Sequence, residues 1–207
     1  MNEKTNTGKK TKSNMKWLIF SLVLGIAIAL SFLPGLFRSK KLFEKSPLLG
    51  KEPIDFEVID AKELENLQSI PKNKKTLKEI ASENNTVIIN FFASWCTECR
   101  EERVKLNEIK KSDDKEKLKI VGVVFQDSKE KILNYLRELN PYDYIYFDKG
   151  ETAIDYGVSG VPETFVIING KIVKKFIGPI SIYEIGKIIE EEKKNNNQGE
   201  KQINSEN

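Results

Sequence analysis

An apolar run of β-branched and aromatic residues, Thr86-Val87-Ile88-Ile89-Asn90-Phe91-Phe92-Ala93, leads through Ser94 into Trp95-Cys96-Thr97-Glu98-Cys99. The run has the composition of a buried strand. Two thiols separated by two residues at the start of a helix can close a disulfide, or attack one, without moving the backbone. A strand, a tight turn, the cysteine pair and then a helix form the setting of a redox-active dithiol rather than of a generic CxxC. A buried strand that passes directly into a helix points to an α/β fold.

Cys96 and Cys99 are the only cysteines of the chain, and it contains no histidine. A structural zinc site needs four ligands, so zinc here would require a dimer or unusual carboxylate ligation. Covalent haem attachment asks for CxxCH, and Arg100 stands at the histidine position. A copper carrier would normally add a histidine. What remains is a thiol–disulfide couple that needs neither metal nor cofactor beyond its own disulfide. The other open reading is a fold that has kept its cysteines and works only by binding.

The formal net charge of +3 offers no argument for nucleic acid as a partner. Charge is concentrated only near the N-terminus, where residues 1–16 carry Lys4, Lys9, Lys10, Lys12 and Lys16. The run from Trp17 to Leu33 that follows is free of charge and ends at Pro34-Gly35. It is just long enough for one bilayer-spanning helix, so residues 17–33 are expected to be an uncleaved anchor. The rival is a cleaved secretory signal, for which Ala27-Ile28-Ala29 offers a small-x-small site. Against it, the chain stays apolar through Phe32 and Leu33. Arg38, Lys40 and Lys41 also follow the span, but the larger basic cluster precedes it, which keeps the N-terminus cytoplasmic. Either reading places the cysteine pair outside the cytoplasm, where a reduced pair needs an electron supply, and the anchored reading makes the chain a single-pass membrane protein.

Residues 34–45 read as a linker, 46–193 as one domain with its own core, and 194–207 as a polar, asparagine-rich disordered tail. Ile54-Asp55-Phe56-Glu57-Val58-Ile59 alternates like an early strand, and Thr76-Leu77-Lys78-Glu79 is a capping box. The helix from Cys96 is expected to turn Val104, Leu106 and Ile109 inward. Leu118 to Phe125 is a second buried strand. Asp127, as N-cap, opens a helix with the apolar stripe Ile132, Leu133, Leu136 and Leu139. Tyr144 to Phe147 is a short strand; Thr164 to Ile168, Asn169-Gly170 and Lys171 to Phe176 form a hairpin. Ser181 caps a last helix carrying Ile185, Ile188 and Ile189. The order gives a mixed central sheet flanked by helices, with a thioredoxin-like architecture.

In a sheet of this kind Gly160-Val161-Pro162 packs beside the cysteine pair with the Val161–Pro162 bond cis, leaving the Val161 N–H and C=O to pair with an extended substrate. The alternative is a trans proline entering an edge strand. Three segments, Trp95-Cys96-Thr97-Glu98-Cys99-Arg100-Glu101-Glu102, Val121-Gly122-Val123 and Gly157-Val158-Ser159-Gly160-Val161-Pro162-Glu163-Thr164-Phe165, closely resemble the CcmG/DsbE family of membrane-tethered thioredoxins of cytochrome c maturation. Ser46-Pro47-Leu48-Leu49-Gly50-Lys51 resembles that family's leader into the domain. The resemblance implies reduction of the disulfide in an apocytochrome c CxxCH segment, with electrons from a membrane thiol reductant of the CcdA or DsbD type. Two departures stand out. Thr97-Glu98 lacks the proline usual between the cysteines, and Asn90 occupies the place where ordinary thioredoxins bury an aspartate, although family members resembling this chain often have asparagine there.

Cys96 is then the expected nucleophile, its thiolate favoured at a helix N-terminus, and Cys99 the resolving thiol. Trp95 is expected either beside the dithiol, limiting its solvation, or as a plain core aromatic. Glu163 is the candidate for taking the proton of Cys99, against a solvated turn residue as the bland reading. Asp127 is a weaker candidate for the same task. Glu98 sets an anion beside Cys96, which opposes its thiolate and moves the couple toward a reductant. A disulfide reductase of the TlpA or ResA kind, with another client, and a tethered docking module that exchanges no thiols are the alternative functions. A disulfide-donating oxidase usually places a histidine between its cysteines, unlike Thr97-Glu98.

Overall fold

The computed structural model describes residues 15–28, 30–31, 46–65, 74–112 and 117–203. The chain divides into two units, Met1–Phe43 and Glu44–Asn207. In the first, residues 15–28 form a helix, α1, whose Trp17, Phe20, Leu22 and Ile26 side chains are exposed. Part of the expected anchor, residues 29, 32 and 33, lies outside the described residues, as do the linker 34–45 and most of the basic segment. Among the described residues no helix is long and apolar enough to cross a membrane.

The second unit is built on a seven-stranded sheet: β1 (Glu57–Asp60), β2 (Lys74–Thr76), β3 (Thr86–Phe92), β4 (Leu118–Val124), β5 (Tyr144–Phe147), β6 (Glu163–Ile168) and β7 (Lys171–Ile177). Its order is β2-β1-β5-β4-β3-β6-β7, with β3 parallel to β4 and antiparallel to β6. The helices are α2 (Leu77–Glu83), α3 (Thr97–Lys111), α4 (Lys129–Glu138), α5 (Glu151–Asp155) and α6 (Ile182–Ile203). Every residue of β3 is buried, because both faces are covered. Ile88 and Phe92 point to one core with Leu106, Ile109, Ile132, Leu136 and Ile185 of α3, α4 and α6. Val87, Ile89 and Phe91 point to the other, with Leu77 and Ile80 of α2 and Ala153 of α5. The alternation of the strand thus feeds two cores, and its C-terminal end, between them, carries the cysteines.

The capping box at Thr76 and Glu79 forms with both reciprocal hydrogen bonds, and Asn169 and Gly170 take the positive φ angles of 51° and 75° that a tight hairpin turn demands. Three local expectations need correction. Val104 is exposed: the inward stripe of α3 runs Cys99, Glu102, Arg103, Leu106 and Ile109, and Val104 lies off it. Ser128, not Asp127, is the N-cap of α4, its hydroxyl accepting from the Lys131 N–H. Leu139 is the C-cap of α4 rather than part of its buried stripe, which runs through Tyr135 instead. Helix α6 runs from Ile182 to Ile203, with Lys187 and Glu191 paired one turn apart.

Candidate active site

Cys96 is the N-cap of α3, and its Sγ accepts the Cys99 N–H at 3.1 Å. An N-cap position hands the first unpaired amides of a helix to the capping atom, so the backbone itself supplies a donor to sulfur. Cys96 and Cys99 are joined in a disulfide with Cα atoms 5.3 Å apart. Both are buried, Cys96 at 6% exposure and Cys99 at 2%, which makes Cys96 the outer of the two. The Val161–Pro162 bond is cis, and the Val161 carbonyl oxygen lies 3.6 Å from Cys96 Sγ. Two loops distant in sequence thus meet at one sulfur, held there by the neighbouring strands β3 and β6.

The loop before the cysteines is pinned from outside. Asp127 Oδ2 accepts the Ser94 N–H at 2.7 Å, and its Oδ1 accepts the Ser128 N–H at 2.8 Å. Trp95 is 57% exposed, with its indole N–H directed to the Gln126 carbonyl at 3.3 Å. It is not a core aromatic; its ring stands on the rim of the site. Arg100 reaches back to the Ser94 carbonyl at 3.4 Å. Glu98 is exposed in the first turn of α3. The role of Asp127 is therefore to tie two loops together by their amides.

Glu163 is neither a solvated turn residue nor a free acceptor. It is 1% exposed, its Oε1 accepts from the Ser159 N–H and hydroxyl at 2.9 and 2.8 Å, and its Oε2 pairs with Lys175 Nζ at 2.8 Å. Lys175, 4% exposed, also donates to the Gly157 carbonyl at 2.8 Å. The pair clamps the 157–161 loop onto β6 and β7. A second buried glutamate, which the sequence reading did not single out, stands on the helix of the cysteines.

That residue is Glu102, 1% exposed and one turn after Cys99 on the inward stripe of α3. Its Oε2 accepts from Asn90 Nδ2 at 2.7 Å; its Oε1 accepts from the Thr164 hydroxyl at 3.2 Å and the Ile180 N–H at 3.1 Å. Burial pushes its carboxyl up to about 7, with the Asn90, Ile180 and Thr164 hydrogen bonds and the Lys105 charge acting against that rise. A carboxyl so placed can take and return a proton near neutral pH. The sequence did carry a signal: a glutamate at i+3 from a buried cysteine shares that cysteine's helix face. Behind it, the Tyr135 hydroxyl donates to the Cys99 carbonyl at 2.9 Å, and Arg103 stacks on the Tyr135 ring at 4.2 Å while pairing with Glu138. Among the described residues no cluster of histidine, cysteine and carboxylate groups is placed to hold a metal ion.

A cysteine pair capping a helix at the end of the central strand, facing a cis-proline loop, defines a thioredoxin-fold thiol:disulfide oxidoreductase. The sequence profile of the AhpC/TSA family matches residues 50–176. The thiol:disulfide interchange protein DsbE of Haemophilus influenzae is 33% identical over 162 residues, covering 75% of this chain and 82% of that protein. DsbE of Vibrio cholerae is 33% identical over 177 residues, 81% of this chain and 88% of its own. The crystal structure of a thiol:disulfide interchange protein of the thioredoxin family from Chlorobium tepidum superposes with a TM-score of 0.56 at 18% identity, over 68% of this chain and 94% of that one. The chain belongs to the AhpC/TSA family and, within it, to the thiol:disulfide interchange proteins of the DsbE type.

Proposed function

We propose that this protein reduces the disulfide of apocytochrome c CxxCH segments on the periplasmic side of the bacterial inner membrane, so that haem can be attached to free thiols. The observation that carries the proposal is the Cys96 sulfur itself, which receives the Cys99 N–H at the start of α3 and faces the Val161 carbonyl of the cis-proline loop; the buried carboxyl of Glu102 stands one turn after Cys99 on the same helix. Reduced protein starts with two thiols. Cys96, as thiolate held by the Cys99 amide, attacks one sulfur of the substrate; the substrate S–S bond breaks and a Cys96–substrate disulfide forms. Cys99 gives its proton to the Glu102 carboxylate and attacks Cys96 Sγ. One substrate thiolate takes up from water the proton Cys96 had released and the other takes the proton held on Glu102, so the substrate leaves with two thiols, the protein keeps the Cys96–Cys99 disulfide, and no cofactor enters. Substrate backbone pairs with the Val161 edge while Trp95 flanks the entry.

Electrons return from a membrane thiol reductant of the CcdA or DsbD type, which restores the dithiol. Residues 17–33 tether the domain: the exposed apolar side chains of α1 are the surface a bilayer would cover, and the basic cluster before them stays in the cytoplasm. The direction of transfer is tested by mixing pre-reduced protein with an oxidised CxxCH peptide and counting peptide thiols. Stoichiometric reduction is expected; an intact peptide disulfide beside a still-reduced protein would overturn the proposal.

A further inference from the structure

Three central strands place Gly122, Asn90 and Thr164 side by side in one row across the sheet, with Ile145 next on β5. Pairing in register sends them all to the face covered by α3. Gly122 leaves a gap in this row. A Cβ there would stand 2.8 Å from both Ile145 Cδ1 and Phe92 Cε1, and 2.9 Å from Tyr142 Cδ1. The gap is filled by the Tyr142 ring, stacked on Phe92 at 4.5 Å, whose hydroxyl donates to Asn90 Oδ1 at 2.8 Å. The loop carrying Tyr142 is zipped to β4 by Asp143, whose N–H donates to the Ile120 carbonyl and whose carboxylate accepts the Ile120 N–H.

With its oxygen occupied by Tyr142, Asn90 can turn only its amide hydrogens toward Glu102 Oε2 and Thr164 Oγ1. Burial drives the Tyr142 hydroxyl far above its ordinary range, so it remains a donor at any physiological pH. We propose that Tyr142, seated in the Gly122 gap, is a positioning residue for the dithiol: through Asn90 it sets the pH at which Glu102 exchanges its proton. The proposal rests on the reading of Glu102 as the proton acceptor of Cys99.

The charged and titratable groups around Glu102 are few. Cys99 lies one turn back on α3. Lys105 reaches the far side of the Ile180 peptide at 3.2 Å, and Tyr135 and Arg103 form the wall toward α4. From β3, β6 and the segment before α6 come only neutral donors: Asn90, Thr164 and the Ile180 N–H. Without the Tyr142 hydroxyl, Asn90 loses the contact that fixes its amide and can turn its oxygen toward Glu102, which favours the protonated carboxyl.

The test follows the carboxyl carbon resonance of Glu102 through pH in oxidised full-length protein, assigned by its loss in Glu102→Gln. Tyr142→Phe keeps the ring and is expected to raise the midpoint by about half to one pH unit. Gly122→Ala, which pushes the ring out of its gap, is expected to raise it likewise. Tyr135→Phe removes a neighbouring hydroxyl that does not touch Asn90 and is expected to leave it in place. Unmoved midpoints in both Tyr142→Phe and Gly122→Ala, or an equal shift in Tyr135→Phe, overturn the inference. The pH profile of peptide disulfide reduction is read in parallel. If the resonance moves and the rate profile does not, the positioning stands and the role of Glu102 as proton acceptor falls.

Discussion

Glu102→Gln is expected to remove a pH dependence of stability that only a buried carboxyl with a raised titration can supply. In the unfolded chain the group titrates near 4.5; in the fold it titrates near 7. Between those values the native state holds a proton that the unfolded state has lost, so stability falls as pH rises through this window. The contribution is fully present below pH 4.5 and gone above pH 7, a fall of roughly 3 kcal/mol over the interval. The variant carries an offset of its own, because a Gln amide nitrogen facing Asn90 Nδ2 sets donor against donor. That offset is the same at every pH, so only the difference in slope counts. Urea unfolding of both oxidised proteins at intervals from pH 4.5 to 8 measures it, each curve extrapolated to water. The wild type should lose ground on the variant steadily between pH 5 and 7 and hold level beyond. Parallel stability curves would show that Glu102 titrates alike in both states, and the proton-acceptor argument would lose its physical basis.

Cys99→Ser is expected to accumulate a disulfide between Cys96 and an oxidised CxxCH peptide, detectable by mass, whereas Cys96→Ser should accumulate none; the reverse pattern would exchange their roles. Lys175→Met strands the Glu163 carboxylate in the interior and should cost about 3–5 kcal/mol in urea unfolding, with Glu163→Gln added to it restoring much of the loss. A double variant no more stable than Lys175→Met would refute the pairing as the cause. Glu98→Gln should raise the reduction potential of the couple by about 30 mV at most, measured against glutathione, since one exposed anion is removed from beside Cys96. A lowered potential would contradict the sign assigned to that charge.

What could be read from the chain was what local chemistry dictates. The β-branched run of β3, the Thr76 box and the Asn169-Gly170 turn each specify their own conformation within a few residues, and the cysteine spacing specifies the start of α3. Burial that depends on partners far along the chain was not legible. Glu163 is separated from Lys175 by the whole β6–β7 hairpin, and only strand pairing shows that both are interior. Arg103 and Glu102 were not credited as inward positions because charged residues rarely are, and the apolar Val104 beside them attracted the assignment instead. The helix face shared by Cys99, Glu102, Leu106 and Ile109 would have given the better answer. Helix α5 and strand β2 are too short to leave a periodic pattern of their own.

With Asn90 where ordinary thioredoxins bury an aspartate, the acid proposed to serve Cys99 is carried on α3. On the helix, Glu102 keeps a fixed place relative to Cys99, set by helical geometry alone. Its protonation is governed by groups from β3, β6 and the segment before α6, and at one further remove by Tyr142 over β4. Placement and tuning are thereby separated. Substitutions at Gly122, Tyr142 or Thr164 can retune the couple while the cysteines, the loop between them and the Val161 edge stay as they are. A strand-borne acid would not allow this, since moving its strand would move the acid and its hydrogen-bond partners together.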